Sequence, residues 1–248
     1  MAVKSNLFEA VLNYAGNDGG FCRRTLPIYD ARAVAQLALD REGFVLEHRA
    51  TAVRNFYDPD EVRAVYYPGV EQLLREVMGA AMACAFEHDV RRAEPAAASG
   101  QAAREPVRVV HDDYTEKSAP ERVRLYLPDK VDGLLKRRFA VVNVWRPLRG
   151  PVRDTPLAVC DAQTLAPQDL VPTSEGVKHE VYLFKFRPAH RWFYFPEMQP
   201  DEAILLKCFD SIRDGRARFT AHTAIDLPLT QPPPPPRESI EVRALVFF

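Results

Sequence analysis

The sequence has few cysteines, little net charge and no long apolar run, and each of these absences argues against a class of protein. The four cysteines, at positions 22, 84, 160 and 208, are widely spaced. This spacing argues against a disulfide framework or a zinc knuckle and for reduced thiols. The net charge of −1 gives no reason to expect nucleic acid or an anionic membrane as a partner. No run approaches the roughly 20 apolar residues that span a bilayer.

Sequence signatures of several enzyme classes and of secretion are also missing. The chain contains no G-x-G-x-x-G, no P-loop, no G-x-S-x-G and no internal repeat. Residues 1–6 lack the apolar segment of a secretory signal, so we expect a cytoplasmic protein. Hydrophobic residues make up 47% of the 248 positions, which is enough to bury a sizeable core.

A few segments in the first third of the chain have helical character. Asp58 is a predicted N-cap, with proline at the first helical position. A second helix is predicted over about residues 69–82, where apolar residues recur at helical spacing. A short helix capped by Asp30 is predicted over residues 30–40. Residues 91–105 include a stretch without large apolar side chains, which predicts a loop.

Most of the remaining chain is predicted to form short strands, which is typical of a sandwich or barrel. We expect a mainly β protein with some α structure, built on a double-stranded β-helix, or jelly roll. Residues 1–105 form a mixed α/β N-terminal extension packed on a core of residues 106–248, as one integrated domain with an insertion at about 149–200. The predicted strands are 107–110, 139–146, 157–160, 180–186, 192–195, 203–209, 218–225 and 239–248.

A histidine and a carboxylate at His111 and Asp113 have the spacing of two ligands to one metal ion. Residues i and i+2 of a strand point to the same face, so Asp112 is expected on the opposite face. A third ligand must come from elsewhere, and we place it at His222. Two histidines and one carboxylate form the facial triad of non-haem Fe(II) oxygenases. The alternative is a solvated strand end, since H-x-D also occurs by chance.

An oxygenase that uses 2-oxoglutarate also needs a cation for the distal carboxylate of the keto acid. The planar fork of arginine suits this role. Arg237 and Ser239 share one strand face and follow His222, and Arg243 on the same face is a second candidate. The alternative is that both arginines are cations on the strand surface.

The chain resembles the AsaB-type hydroxylase/desaturase family, which includes CmcJ-like proteins and fungal gibberellin desaturases. The resemblance covers roughly residues 40–248, and its motifs are specific as a set. It implies a jelly roll, Fe(II) bound by His111, Asp113 and His222, 2-oxoglutarate held by Arg237 and Ser239, and oxidation of an unactivated C–H bond in natural-product pathways. The motifs are 110–115, 143–148, 156–161, 190–195, 202–211, 221–223 and 236–243.

Several other side chains are candidates for the substrate pocket. Asn143 and Arg146 are two of them, although strand alternation sends these two to opposite faces. Trp192 and Tyr194 could stack on a substrate, with core packing as the alternative. Lys207 in an apolar strand could bind a substrate carboxylate, or pair with Asp210 or Glu202.

The expected partners are a small-molecule substrate and O2, and the oligomeric state stays open. Hydroxylation, desaturation and ring formation are all compatible with these residues. Two other functions remain open at this point. One is a jelly-roll metalloenzyme, an oxidase or isomerase, that does not use 2-oxoglutarate. The other is a non-catalytic biosynthetic partner protein.

Overall fold

The computed structural model describes residues 6–93, 103–174, 176–228 and 230–248, and most of its regular structure is β-strand. Residues 94–102 of the predicted loop and residues 1–5 of the N-terminus lie outside the described residues. The strands are β1 Asn6–Ala15, β2 Phe21–Asp30, β3 Phe44–His48, β4 Met82–Arg92, β5 His111–Asp112, β6 Phe139–Pro147, β7 Leu157–Cys160, β8 Leu170–Thr173, β9 Val181–Phe184, β10 Trp192–Tyr194, β11 Glu202–Asp210, β12 His222–Ala224 and β13 Glu238–Phe247.

These strands form two sheets that face each other as a jelly roll, as predicted. The larger sheet has the order β1-β2-β10-β7-β12-β5-β9-β8, and the smaller has the order β3-β11-β6-β13-β4. Apolar side chains from both sheets fill the space between them, among them Phe193, Val159, Ile204 and Trp145. The proline run 232–236 lies between β12 in one sheet and β13 in the other, so it is part of the crossover between the two sheets.

The eight-stranded sheet curls back on itself and encloses a second apolar core. Its first strand, β1, makes isolated bridges to Val109 and Lys185 near the other end of the sheet. The side chains of Tyr14, Trp192 and Tyr194 pack in the space that this curl encloses. This second core is separate from the space between the two sheets.

A helix covers the outer face of the five-stranded sheet. It begins at Pro59–Glu61 (α1), continues through a π turn at Val62–Tyr66, and ends as α2 at Tyr67–Met78. Asp58 caps it by accepting hydrogen bonds from the N–H groups of residues 60 and 61, which confirms the predicted N-cap. The end predicted at residue 82 was wrong, because Gly79 takes a left-handed conformation (φ 63°) and β4 begins at Met82. None of the helices in the described ranges is long and apolar enough to cross a membrane.

Other boundaries also differ from the predictions. The helix at 30–40 is only a 3-10 turn, Ala31–Ala33, that Asp30 caps and an extended Val34 ends. The strand predicted at 107–110 instead forms at β5. The residues before β5 make single backbone hydrogen bonds and no continuous β-ladder. The strand at 218–225 shortens to β12, because the Thr220 hydroxyl bonds backbone carbonyls of two other segments. Strands β2, β4 and β8 and the helices α3, Ser118–Tyr126, and α4, Val131–Leu134, were not predicted.

The division at residue 105 stays a prediction about folding units. Strands β1 to β4, all from residues 6–92, belong to the same two sheets as the rest of the chain. The segment predicted as an insertion, 149–200, supplies β7, β8, β9 and β10. Two of these strands, β7 and β9, are the direct neighbours of β12 and β5. Both segments therefore help to position the strands that bear His111 and His222.

The ion pair between Arg32 and Glu202 is expected to make stability depend on pH below about 4.5. Two bonds of 2.8 Å join the guanidinium to the buried carboxylate. Burial alone would raise the pKa of Glu202, but Arg32 and the Gln199 N–H hold that pKa below its ordinary 4.5. A carboxyl whose pKa is lowered by folding stabilises the fold above its unfolded pKa, and this contribution is lost as pH falls through the folded pKa.

The test is urea unfolding of the parent and of Glu202→Gln at several pH values. We expect the parent to be the more stable at pH 7, and the difference to shrink steadily between pH 4.5 and pH 3. A difference in the free energy of unfolding that stays constant over this range would contradict a stabilising ion pair between Arg32 and Glu202.

Candidate metal centre

Three ligand-type side chains, His111, Asp113 and His222, meet between the two sheets. Strands β5 and β12 are neighbours, and their register places His111 directly opposite His222. The two imidazole rings have centroids 4.3 Å apart, and Asp113 Oδ1 lies 3.6 Å from His111 Nε2. One ligand atom from each of the three side chains lies within 4.8 Å of the others. Metal–ligand bonds of about 2 Å allow one ion to reach all three atoms.

Backbone carbonyls orient both imidazole rings in the same way. Nδ1 of His111 lies 2.7 Å from the carbonyl oxygen of Val109, and Nδ1 of His222 lies 3.0 Å from that of Thr220. A carbonyl can only accept a hydrogen bond, so each Nδ1 carries a proton, and Nε2 is the atom of each ring that can bind a metal. Burial and His222 also lower the pKa of His111 to about 3, so its ring is neutral at ordinary pH. Both rings are therefore fixed in the tautomer that binds a metal through Nε2.

The carboxylates of Asp112 and Asp113 lie in opposite environments, as strand alternation predicted. Asp113 Oδ2 accepts hydrogen bonds from Asn143 Nδ2 at 2.7 Å and Arg243 Nε at 3.0 Å. Burial alone would raise the pKa of Asp113, but Arg243 and the histidines outweigh it and hold the pKa below its ordinary value. Asp112 faces away and accepts from the N–H groups of Tyr114 and Thr220, and burial raises its pKa well above 3.8.

A second group of ligand-type side chains, Asp112, Cys208 and His222, lies behind the first. Burial and the neighbouring carboxylates raise the pKa of the Cys208 thiol well above 9. Metals bind the thiolate, so a thiol held in its protonated form is a poor ligand. The first group is the better candidate for a metal.

The structure separates the two arginines that the sequence left as alternatives. Arg237 is buried, and the one side-chain hydrogen bond found for it in the described residues runs from Nη1 to the Thr155 carbonyl at 2.6 Å. Its Nε is buried and has no partner there, and its guanidinium lies 5.5 Å from the centre of the Trp145 ring. Burial and the nearby Arg91 lower the pKa of Arg237 to about 9, which is the sign of a cation without a paired anion.

Arg243, in contrast, has all three guanidinium nitrogens occupied by carboxylates. Its Nε donates to Asp113, its Nη1 to Asp89 at 3.0 Å and its Nη2 to Glu241 at 2.9 Å. Ser239 is buried on the same strand face, between the two arginines. The role of Asp89 and Glu241 was missed at the sequence level. Glu241 shares the alternation of 237, 239 and 243, whereas Asp89 lies on β4, a strand that was not predicted.

Of the proposed substrate-binding residues, only Asn143 contacts the triad. Arg146 lies on the other face of β6, where it binds the Arg49 carbonyl and packs 5.2 Å from the centre of the Tyr66 ring. Trp192 and Tyr194 pack in the second core, and the Trp192 indole N–H donates to the Tyr14 hydroxyl at 2.7 Å. These placements argue against substrate contact by Arg146, Trp192 and Tyr194, because each side chain is used in packing away from the triad.

Lys207 has the structural role that was one of its two alternatives. Its ammonium group is fully buried and binds the carboxylates of Asp210, at 3.1 Å, and Asp40. Glu202, the other acid considered, instead pairs with Arg32. This arrangement commits the ammonium group to two protein carboxylates and supports the structural role.

Lys207→Met is expected to lower the free energy of unfolding by about 3 kcal/mol, since removing one partner of a buried ion pair leaves the other charge uncompensated. The loss is at the low end of the roughly 3–5 kcal/mol for such pairs, because Arg138 still binds Asp210 at 2.7 Å. Urea unfolding measures the change, and Mn(II) affinity should stay at the parent value. A variant with parent stability but a higher KM for substrate would restore the substrate-binding role.

Comparisons with known proteins agree with this geometry. A family model described as an oxidoreductase/YMDC permease-like domain matches residues 12–247. The hydroxylase/desaturase efuI of Hormonema carpetanum is 33% identical over 239 residues, which cover 86% of this chain and 79% of that protein. The Fe(II)/2-oxoglutarate-dependent dioxygenase nvfI of Aspergillus novofumigatus is 34% identical over 197 residues, 77% of this chain and 69% of that protein. A solved structure of the iron and alpha-ketoglutarate-dependent endoperoxidase NvfI superposes with a TM-score of 0.89 and 27% identity, over 96% of this chain and 97% of that one.

Proposed function

Because the chain belongs to the hydroxylase/desaturase family of Fe(II)/2-oxoglutarate-dependent oxygenases, we propose that His111, Asp113 and His222 hold its iron and that Arg237 anchors its 2-oxoglutarate. The enzyme oxidises an unactivated C–H bond of a small molecule, and we place that molecule in a natural-product pathway. The observation that carries the proposal is the buried triad between the sheets together with a buried arginine that forms no salt bridge within the described residues.

The donor set fits Fe(II). Two imidazoles and one carboxylate leave the rest of the coordination sphere open, as in the facial triads of non-haem iron oxygenases. Structural zinc instead prefers four ligands, often thiolates, and the pKa of the nearby Cys208 thiol is raised. Bound iron would supply the coupling of O2 reduction to oxidative decarboxylation of 2-oxoglutarate. The protein's own contribution is to fix the three ligand atoms and to keep the site dry.

Arg237 fits the distal carboxylate of 2-oxoglutarate. Its Nε donor is buried without a partner, and its neighbour Trp145 is an aromatic ring on which a guanidinium can stack. A carboxylate at this position would restore the charge balance that burial has disturbed. Ser239, buried two residues further along the same strand face, supplies a hydroxyl donor beside it.

Other features bear on the location of the enzyme and on the side of the site that faces the substrate. Cys22, Cys84, Cys160 and Cys208 are all free, which supports a location in the reducing cytoplasm. The aromatic pair Tyr114 and His179, stacked with centroids 5.1 Å apart, covers the side of the site beside the Asp113 backbone. The buried Tyr114 hydroxyl has no hydrogen-bond partner in the described part of the chain, so a polar substrate group is a suitable ligand for it.

The direct test is succinate formation from 2-oxoglutarate by the Fe(II)-loaded protein, with and without a panel of small metabolites. We expect slow turnover alone and faster turnover when a substrate is present. A protein that binds Fe(II) through the triad but neither binds nor consumes 2-oxoglutarate would instead be a metalloenzyme of another kind.

A further inference from the structure

We propose that Arg243 is a positioning residue that holds Asp113 in a one-oxygen binding mode toward the metal, and that it does not anchor 2-oxoglutarate. The proposal rests on the function proposed above for the triad. It assigns different tasks to two arginines that share one face of one strand. The argument depends on which atoms of Asp113 and Arg243 are already occupied.

The two oxygens of the Asp113 carboxylate have different surroundings. Oδ2 accepts two hydrogen bonds, from Asn143 at 2.7 Å and from Arg243 at 3.0 Å. Oδ1 is the oxygen that lies 3.6 Å from His111 Nε2, on the side of the triad. With Oδ2 held by two donors, only Oδ1 is free to bind an ion. A carboxylate bound through one oxygen leaves three positions of an octahedral ion open beside two histidines.

Both donors reach one oxygen because of the strand register. Arg243 on β13 is the direct cross-strand partner of Asn143 on β6. Side chains of such partners start about 5 Å apart on the same face. Asp113 comes from the opposite sheet, so the two hydrogen bonds also join the sheets at the triad.

A β-bulge in β4 lies opposite Arg243. Arg243 pairs with Glu87 of β4, whereas the next residue, Ala244, pairs with Ala85, which leaves Phe86 as the extra residue. Bulges of this kind redirect side chains next to active sites. The other two guanidinium nitrogens are held by Asp89 on β4 and Glu241 on β13. Three carboxylates on three segments thus fix the plane of the guanidinium, and each of its nitrogens already donates to a protein carboxylate.

The substitution that isolates this role is Arg243→Lys, because it keeps the charge and removes the planar fork. One ammonium group cannot reach Asp113, Asp89 and Glu241 in the same plane. We expect Arg243→Lys to weaken Mn(II) binding by about 10–100-fold, which is the usual effect of losing a partner that orients a metal ligand. Free Mn(II) is counted by electron paramagnetic resonance on protein without 2-oxoglutarate, so the readout does not depend on turnover.

Arg146→Lys is the matched control. Arg146 is equally buried and lies on the neighbouring strand β6, but it faces away from the triad and binds the carbonyl of Arg49. This variant should bind Mn(II) as the parent does, even if its melting temperature falls. Parent-like Mn(II) affinity in Arg243→Lys would overturn the proposal, and so would equal losses in both variants, which would point to a general loss of stability.

Asn143→Ala alone should weaken Mn(II) binding, because it removes the other donor to Asp113 Oδ2. Parent-like Mn(II) affinity in this single variant would contradict the clamp, so the proposal stays falsifiable where Arg243→Lys does not fold. Since both donors hold the same oxygen, their losses should not multiply. We expect the double variant to lose less Mn(II) affinity than the product of the two single losses. Fully multiplicative losses would show that the two side chains act on different groups and would contradict the shared clamp.

The assignment between the two arginines is decided by 2-oxoglutarate binding at saturating Mn(II). Arg243→Lys should keep the parent Kd for 2-oxoglutarate, whereas Arg237→Lys should raise it. The reverse result would make Arg243 the anchor and overturn the proposal. If the parent itself binds Mn(II) but no 2-oxoglutarate, the proposed function fails, and the Mn(II) comparison still decides the role of Arg243.

Discussion

His222→Ala is expected to abolish succinate formation and to lower Fe(II) affinity by more than the roughly 10–100-fold that loss of an outer partner costs. The imidazole is one of three proposed ligands; the residue is 2% exposed, and the Thr220 carbonyl holds its Nδ1. The alanine variant leaves His111 and Asp113 as the ligands, too few to hold iron against water. Anaerobic titration with Fe(II) measures the affinity, and succinate is measured in the same samples.

His88→Ala is the control for the loss of a histidine as such. His88 is half-buried on the outer face of β4, where its Nδ1 lies 2.9 Å from the Tyr67 hydroxyl, and it does not touch the triad. We expect parent Fe(II) affinity in this variant. If His222→Ala bound Fe(II) as the parent does, the triad would not be the metal site, and the cluster behind it would need to be reconsidered.

Arg237→Gln is expected to weaken 2-oxoglutarate binding by about 2–5 kcal/mol, the usual cost of removing one partner of a buried charge pair at an interface. Arg237 is buried, burial lowers its pKa to about 9, and it forms no salt bridge within the described residues, so its guanidinium is suited to bind an anionic ligand. A charge-assisted, two-point contact with a carboxylate is the strongest anchor a side chain can offer. Isothermal titration of the Mn(II)-loaded protein with 2-oxoglutarate measures the change.

Arg237→Lys should recover part of this loss, because it restores the charge but not the planar fork. Mn(II) affinity should be the same in both variants and in the parent, since Arg237 makes no contact with a triad residue in the described structure. Binding of 2-oxoglutarate that is indifferent to both substitutions would remove Arg237 from the site.

The sequence alone determined the local part of the site. Strand alternation required that Asp113 and not Asp112 share a face with His111, and the structure has that arrangement. Alternation also required that Asn143 and Arg146 separate, and they lie on opposite faces of β6. The jelly roll followed from many short strands and a resemblance to one family. These features depend only on the period of a strand and on residue order, which a sequence contains in full.

Tertiary structure decided what depends on contacts between distant segments. Arg237 and Arg243 share a strand face, so no local rule separates them. Only the positions of Asp113 and Asp89, which come from other strands, show that Arg243 is neutralised and that Arg237 is not. From the sequence, Trp192 is likewise a candidate for stacking on a substrate. In the structure the curled eight-stranded sheet buries it in the second core. Whether a buried charge is neutralised depends on its partners, and those partners lie far away in the sequence.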